Sequence, residues 1–211
     1  MKKYIIELIG TFFLVLVVCF TANPLAIGAV LMAMVYMGGP ISGGHYNPAV
    51  SLGVFMRGKL SGKDFGMYFI FQLIGALLAS LIYYLISNRS FAPVPGLEVS
   101  FVKATVMELF FTCALVLVVL STATTKKAAG NSYFGLAIGF TLFVGAQASG
   151  PISGGALNPA VAVGTEIMDL ITGGSLIKYI PIYLIGPFLG GALAAWLFRA
   201  TNPDECEAAA S

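Results

Sequence analysis

The sequence is poor in charged residues. Only 9% of its 211 residues are Asp, Glu, Lys or Arg, whereas about 25% is usual in a soluble domain. So little charge excludes a soluble enzyme and a disordered chain, and a net charge of +2 is too small for a nucleic-acid-binding surface. In contrast, 58% of the residues are hydrophobic. Since a spanning helix takes about 20 residues and a half-length helix about 10, this length suits a polytopic membrane protein with short loops.

Histidine and cysteine are scarce as well. His45 is the single histidine, Cys19 and Cys113 lie inside apolar runs, and Cys206 lies in an acidic tail. No pair of these residues has metal-ligand spacing, and three cysteines do not build a disulfide framework. We therefore expect no metal and no cofactor. The absence of a nucleophile–base pair or a phosphate-binding loop argues against an enzyme.

Breaker residues divide the chain into apolar stretches that are each predicted to be helical across a bilayer. They lie near residues 4–22, 25–38, 66–87, 102–122, 132–148 and 178–199. The second and fifth are short for a full span, so the Gly-rich segments after them should begin at membrane depth. With a cytoplasmic N-terminus, the inner loops collect eight basic residues and the outer loops three: Lys2, Lys3, Arg57, Lys59, Lys63, Lys126, Lys127 and Arg199 against Arg89, Lys103 and Lys178. This bias predicts that both termini are cytoplasmic, and we expect the plasma membrane as the location.

The strongest signal is an internal repeat. Residues 7–18 match residues 108–119 at eight of twelve positions, and residues 39–50 match residues 150–161 at ten of twelve. Three predicted spans separate equivalent points, so the two halves should have opposite orientations in the membrane, as in inverted-repeat proteins whose site lies at the midplane. We predict one channel domain over residues 1–211, with repeats at about 4–87 and 102–200. An extracellular loop over about 88–101 links them.

The repeated Asn-Pro-Ala sequences, residues 47–49 and 158–160, predict two short helices. Asn is a leading N-cap residue and Pro is favoured at the first helical position. Asn47 should therefore cap a helix from Pro48 to Met56, and Asn158 should cap one over about 159–168. Both are too short to span, so they are predicted to be re-entrant half-helices that enter from opposite sides. The segments before them, residues 41–46 and 152–157, are predicted to be extended.

Two opposed half-helices would bring two positive dipole ends and two Asn amides to the membrane centre. Extended backbone at that depth must be buried or line a water-filled cavity. Its carbonyl groups are predicted to form a ladder of acceptors: Gly43, Gly44, His45, Tyr46, Gly154, Gly155 and Ala156. Such a ladder, with two central donors, suits a file of small polar molecules, whereas the positive centre disfavours cations.

The paired segments 42–50 and 153–160 resemble the two signatures of the aquaporin, or major intrinsic protein, family, and the resemblance extends from Glu7 to Arg199. It implies an all-α membrane protein with six transmembrane helices and two re-entrant half-helices. It also implies a pore in every subunit and a homotetramer in the lipid bilayer. Pore residues carried over are Asn47, Pro48, Ala49, Asn158, Pro159 and Ala160. The expected substrates are water and small neutral solutes, with no nucleic acid.

The resemblance also indicates the residues of a selectivity constriction, and here the sequence departs from the family. Most members have Arg after the second Asn-Pro-Ala, and this chain has Val161. Gapless counting gives the other positions as Ile27, Ala146 or the adjacent Gly145, and Gly155. We expect a wide, apolar mouth that passes glycerol, urea, ammonia, hydrogen peroxide or metalloid acids, unless segment 88–100, which contains Arg89 and Phe91, folds over it. Ala162 replaces the Asp typical of glycerol channels, which does not favour a dedicated glycerol facilitator.

Ionisable residues inside the predicted helices need a separate explanation. Glu7 and Glu108 are repeat-equivalent, and an intramembrane carboxylate suggests a functional site such as a proton relay. The resemblance implies instead that each carboxylate braces a re-entrant loop, with His45 bracing the first loop or lining the pore edge. Two other functions stay open at this point: an ion-coupled secondary transporter, which also uses inverted repeats, and a closed-pore junction or scaffold protein.

Overall fold

Helices make up most of the computed structural model, which describes residues 1–206. Residues 207–211, the end of the predicted domain, lie outside the described residues. Six helices are long and apolar enough to cross a membrane, two shorter ones lie between them, and no strand occurs in residues 1–206. In chain order the helices are α1 (Lys2–Thr21), α2 (Pro24–Ser42), α3 (Pro48–Met56), α4 (Gly62–Ser87), α5 (Phe101–Ala123), α6 (Phe134–Ser153), α7 (Pro159–Ile171) and α8 (Ile180–Thr201). A 3-10 turn, Leu176–Tyr179, leads into α8, and another, Pro203–Glu205, follows it.

The packing follows the sequence repeat, so that α1–α4 and α5–α8 form equivalent halves. Helix α1 packs on α4, α5 packs on α8, and α2 and α6 pack on each other between the halves. The α2–α6 contact depends on two glycines. A Cβ added at Gly28 would lie 2.5 Å from the Gly139 carbonyl oxygen, and one added at Gly139 would lie 2.5 Å from that of Gly28. Small residues let two membrane helices approach this closely.

Helices α2 and α6 are longer than the sequence predicts. The apolar stretches 25–38 and 132–148 were expected to end before the Gly-Pro pairs, but α2 continues to Ser42 and α6 to Ser153, with Pro40 and Pro151 inside them. The prediction was wrong because it applied the helix-breaking rule for water. At membrane depth no water satisfies backbone groups that an ended helix would free, so a helix with one missing N–H is preferred over irregular chain.

The half-helices α3 and α7 enter from opposite faces. On the face where the described chain both begins and ends, Lys3 Nζ lies 2.7 Å from Asp64 Oδ2, and the carboxylate of Glu205 contacts Arg57, the residue after α3. On the other face, the end of α7 contacts the α4–α5 connection. The N-termini of the two half-helices therefore meet inside the bundle.

The segment after α8 is fastened to the face that carries the termini. Glu205 is 7% exposed, and its Oε1 accepts a hydrogen bond from the Lys126 backbone N–H at 3.0 Å. Its Oε2 lies 3.5 Å from Arg57 Nη2, and the Arg57 guanidinium lies 4.9 Å from the centre of the Phe198 ring. The backbone N–H of Lys126, followed by that of Lys127 and by the nearby cations, lowers the pKa of the Glu205 carboxyl below its ordinary value of 4.5.

Candidate functional site

Two asparagines cap the half-helices in the same way. Asn47 and Asn158 have extended backbones, and each side-chain Oδ1 accepts a hydrogen bond from the N–H two residues ahead, at 2.9 Å from Ala49 and 2.9 Å from Ala160. The proline that follows each asparagine occupies the first helical position, where a missing N–H costs nothing. Local capping chemistry therefore fixes where both half-helices begin.

The two caps are joined to each other. Asn47 Nδ2 donates to the Leu157 carbonyl oxygen at 2.8 Å, and Asn158 Nδ2 donates to the Tyr46 carbonyl oxygen at 2.9 Å. A primary amide has two N–H donors, so each asparagine keeps one donor beyond this cross-link. Both side chains line the same cavity, and these remaining donors are polar groups available where that cavity meets the caps.

The segments before the caps were predicted to be extended, but residues 41–42 and 152–153 are helical and the following loops contain left-handed residues. Gly43, Gly44 and Tyr46 have φ angles of 91°, 63° and 50°. The equivalent residues of the second loop have angles of 90°, 65° and 49°: Gly154, Gly155 and Leu157. Positive φ is costly for Tyr and Leu, and such strain persists only where surrounding contacts enforce it.

Glu7 and Glu108 supply those contacts. Glu7 accepts hydrogen bonds from the N–H groups of His45 at 3.0 Å and Tyr46 at 2.7 Å, and also from Ser42 and Gln72. Glu108, the equivalent carboxylate, accepts hydrogen bonds from the N–H groups of Ala156 and Leu157 and from the Ser153 hydroxyl. Each carboxylate thus holds the strained residue whose carbonyl accepts from the opposite asparagine. These bonds offer a structural reason for two buried carboxylates.

A cavity of about 310 Å³ extends from the caps toward the face opposite the termini. The four residues predicted to form the constriction all line it: Ile27, Ala146, Gly155 and Val161. Among the described residues, no Lys, Arg, Asp or Glu lines this cavity. Arg89 is exposed on the α4–α5 connection and does not supply the missing charge. The lining is therefore mainly apolar, with backbone groups, His45, Gln147 and the two asparagines as its polar part.

A second cavity, of about 400 Å³, opens on the face that carries the termini. His45 lines both cavities and so lies between them. Its Nδ1 lies 3.1 Å from Ser51 Oγ, and its ring packs edge-on against Tyr68, with 5.1 Å between ring centres. His45 is therefore held by its own loop, by α3 and by α4 at the junction of the two cavities.

The predicted carbonyl ladder is only partly brought to the cavities. Gly43, His45, Gly154, Gly155 and Ala156 line one or both of them. Gly44 and Tyr46 line neither. A Cβ added at Gly44 would lie 3.3 Å from the Val35 Cα in α2. Tyr46 is fully buried, and its carbonyl already accepts from Asn158. A carbonyl oxygen can accept two hydrogen bonds, so the ladder positions of Gly44 and Tyr46 stay a prediction.

Sequence reasoning missed two residues near this site, Pro93 and Glu166. Pro93 of the α4–α5 connection lines the first cavity together with Phe91; Phe91 had been named with Arg89 as a residue of segment 88–100 that could fold over the mouth, whereas nothing in the sequence indicated Pro93. Glu166 in α7 is fully buried, and neither carboxylate oxygen has a hydrogen-bond partner in residues 1–206. The sequence analysis considered only Glu7 and Glu108 as intramembrane carboxylates, and Glu166 is a further buried one. Glu166 lies inside the predicted half-helix over residues 159–168, and this position was the signal that could have found it.

No three His, Cys, Asp or Glu side chains cluster as metal ligands would within residues 1–206. The site is instead a mainly apolar cavity, the candidate bore, with His45, Gln147 and the two asparagines as its polar side chains. Six spanning helices, two opposed half-helices and that bore define the class of the protein: a multi-pass membrane channel built as an inverted repeat.

Comparison with known proteins gives the family. The protein-family model for the major intrinsic protein family matches residues 20–198, and the chain belongs to that family. Aquaporin NIP1-4 of Oryza sativa subsp. japonica is 34% identical over 183 residues, 86% of this chain and 65% of that protein, so the chain spans just under two thirds of its length. Glycerol uptake facilitator protein-like 6 of Lactiplantibacillus plantarum is 32% identical over 97% of this chain and 100% of that protein. The X-ray structure of the aquaglyceroporin from Plasmodium falciparum has the same fold, with a TM-score of 0.80 and 24% identity over 93% of this chain and 94% of that chain.

Proposed function

We propose that the protein is a passive channel that conducts water and small uncharged solutes through a bore in each subunit. The observation that carries this proposal is the pair of cross-linked caps, which leaves one Asn47 donor and one Asn158 donor on a continuous apolar cavity. A molecule in single file would exchange hydrogen bonds between these donors and backbone carbonyls at Gly154, Gly155 and Ala156. The names of the aquaporin and glycerol-facilitator relatives support the same activity.

The charge distribution supports exclusion of ions. The N-termini of α3 and α7 meet at the caps, and each carries about half a positive elementary charge from the helix dipole. A cation in the bore would lose its hydration in a lining that offers few carbonyls and no carboxylate among the described residues. A neutral molecule is not repelled by the positive helix ends and loses less hydration free energy on entering the bore.

We propose that Ile27, Ala146, Gly155 and Val161 form the constriction and admit solutes larger than water. All four are uncharged, and Ala146 and Gly155 are among the smallest residues available. A mouth of this composition lacks the fixed charge that Arg supplies in most of the family. Glycerol, urea, ammonia, hydrogen peroxide and undissociated metalloid acids are the candidate solutes, because all are small and uncharged.

The assembly and topology that we propose are a homotetramer in the plasma membrane with both termini cytoplasmic. The charge bias of the loops supports the topology. Large apolar side chains on the outside of the bundle, such as Phe110 at 60% exposure and Trp196 at 63%, are suited to lipid and to neighbouring subunits.

The experiment that tests the activity is a flux panel. Liposomes containing the purified protein are mixed rapidly with a hypertonic sucrose solution to measure water efflux. In parallel experiments they are mixed with glycerol, urea or hydrogen peroxide to measure solute entry. A passive channel gives permeabilities that do not saturate and do not depend on a Na⁺ or H⁺ gradient. Saturating, gradient-dependent flux would favour the ion-coupled transporter, with Glu166 as its first candidate residue. No flux of any solute would favour a closed-pore scaffold.

A further inference from the structure

The α4–α5 connection, residues 88–100, enters the outer mouth of the bore. Phe91 is half-buried and lines the first cavity together with Pro93. It packs in one apolar cluster with Val161 and Ile27, two of the four constriction residues. An aromatic side chain from outside the repeat therefore lies where the mouth is expected to be narrowest.

Specific contacts hold this connection in place. The Ser90 hydroxyl, one residue before Phe91, donates to Asp169 Oδ1 at 2.7 Å, and the Gly96 N–H donates to the Ile152 carbonyl oxygen at 3.0 Å. Between these bonds the backbone presses on the second loop, since a Cβ at Gly154 would lie 2.8 Å from the Val94 nitrogen. The connection is thus fastened on both sides of the residues that enter the bore.

Asp169 is placed to act as the anchor of this arrangement. It lies near the end of half-helix α7, is 5% exposed, and its other oxygen accepts from the Leu176 N–H at 3.0 Å. One buried carboxylate therefore joins the connection, the half-helix that carries Val161, and the turn that leads into α8. Because Val161 and Asp169 belong to the same half-helix, the anchor fixes the position of Phe91 relative to the constriction.

We infer that Phe91 is a fifth specificity-determining residue, which sets the upper size limit for uncharged solutes, and that Asp169 positions it through Ser90. The inference rests on the proposed channel function. Ile27, Ala146, Gly155 and Val161 alone would leave a wide mouth, and the Phe91 ring occupies part of the space that the absent Arg side chain leaves. Water passes beside the ring, whereas linear polyols longer than glycerol are excluded.

The test measures the ratio of erythritol to water permeability in liposomes. Phe91→Ala should raise this ratio by roughly tenfold, the scale of discrimination that one apolar contact provides, with little change in water permeability. Phe91→Leu keeps an apolar side chain in the cluster and should give a smaller rise, which guards against misfolding of the alanine variant. Leu97→Ala is the matched control, because Leu97 lies on the same connection but is fully exposed, and it should leave the ratio unchanged.

The positioning role has its own readout. Ser90→Ala should raise the erythritol ratio in the same direction but by less, and Ser90→Thr, which keeps the hydroxyl donor, should restore exclusion. If Ser90 acts through Phe91, Ser90→Ala should have no further effect in the Phe91→Ala background.

The outcomes separate this inference from the proposed function. A protein that conducts water, but whose size limit is unchanged in both Phe91 variants, overturns the inference and leaves the channel intact. An additive effect of Ser90→Ala in the Phe91→Ala background overturns the positioning role. A native protein that conducts nothing overturns the channel function itself.

Discussion

Replacing Glu7 tests whether the buried carboxylates serve the loops. Glu7→Ala removes an acceptor that serves two backbone N–H groups, those of His45 and Tyr46, and both residues are buried. A buried donor that loses its partner costs about 1–3 kcal/mol. We therefore expect the free energy of unfolding to fall by about 2–6 kcal/mol, before any contribution from the lost Ser42 and Gln72 bonds. Glu7→Gln keeps one acceptor oxygen and should lose roughly half as much.

The Glu7 variants should also lose conductance, because Tyr46 has a strained φ of 50° and its carbonyl accepts from Asn158. Without the carboxylate the loop can relax and move that acceptor out of line with the bore. Thermal unfolding in detergent and water permeability in liposomes measure the two effects. Glu98→Ala, at an exposed position, is the control and should change neither. If Glu7→Ala unfolds at the same temperature and conducts water at the same rate as the native protein, the reasoning is refuted. If Glu7→Gln loses proton conductance alone, the result would instead support a relay.

Three further predictions concern the mouth, the tail and the thiols. Val161→Arg should lower the glycerol-to-water permeability ratio roughly tenfold, because Val161 lines the bore and is only 4% exposed. Glu205 has a lowered pKa, so its stabilisation is complete above its ordinary value of 4.5 and is lost as the pH falls through the lowered pKa. The native protein should therefore melt above Glu205→Gln at neutral pH, and the difference should shrink on acidification. Mercuric chloride should inhibit water flux weakly, since none of Cys19, Cys113 and Cys206 lines either cavity.

Each of these three predictions has a control and a contradicting result. Val161→Leu adds bulk without charge, and an equal effect of Leu and Arg would attribute selectivity to size alone. The tail prediction fails if the melting difference between native protein and Glu205→Gln is the same at pH 7 and pH 3. Strong mercurial block that survives Cys19→Ser and Cys113→Ser would show that another route reaches the bore.

Local chemistry explains why much of the site could be predicted from the sequence. Asn followed by Pro specifies a helix start through bonds within two residues, so Asn47 and Asn158 could be identified without any tertiary contact. The repeat then predicted two such starts in opposite orientation, and the scarcity of charge predicted the membrane. These features depend on neighbouring residues or on composition, and both are visible in the chain itself.

Only the tertiary structure decided which groups face the bore. The Tyr46 carbonyl, expected in the ladder, accepts a hydrogen bond from the opposite asparagine, 112 residues away, a contact that the sequence did not indicate. Phe91 enters the mouth because Ser90 bonds to Asp169, 79 residues away, and Glu166 is buried by helix packing that its own segment does not reveal. Helices α2 and α6 pass their Gly-Pro pairs because the bilayer removes the water that would allow a break. Composition belongs to the whole chain and capping rules act over a few residues, so both can be read from the sequence. Which residues line the bore and which are buried depends on segments that meet only when the two halves pack.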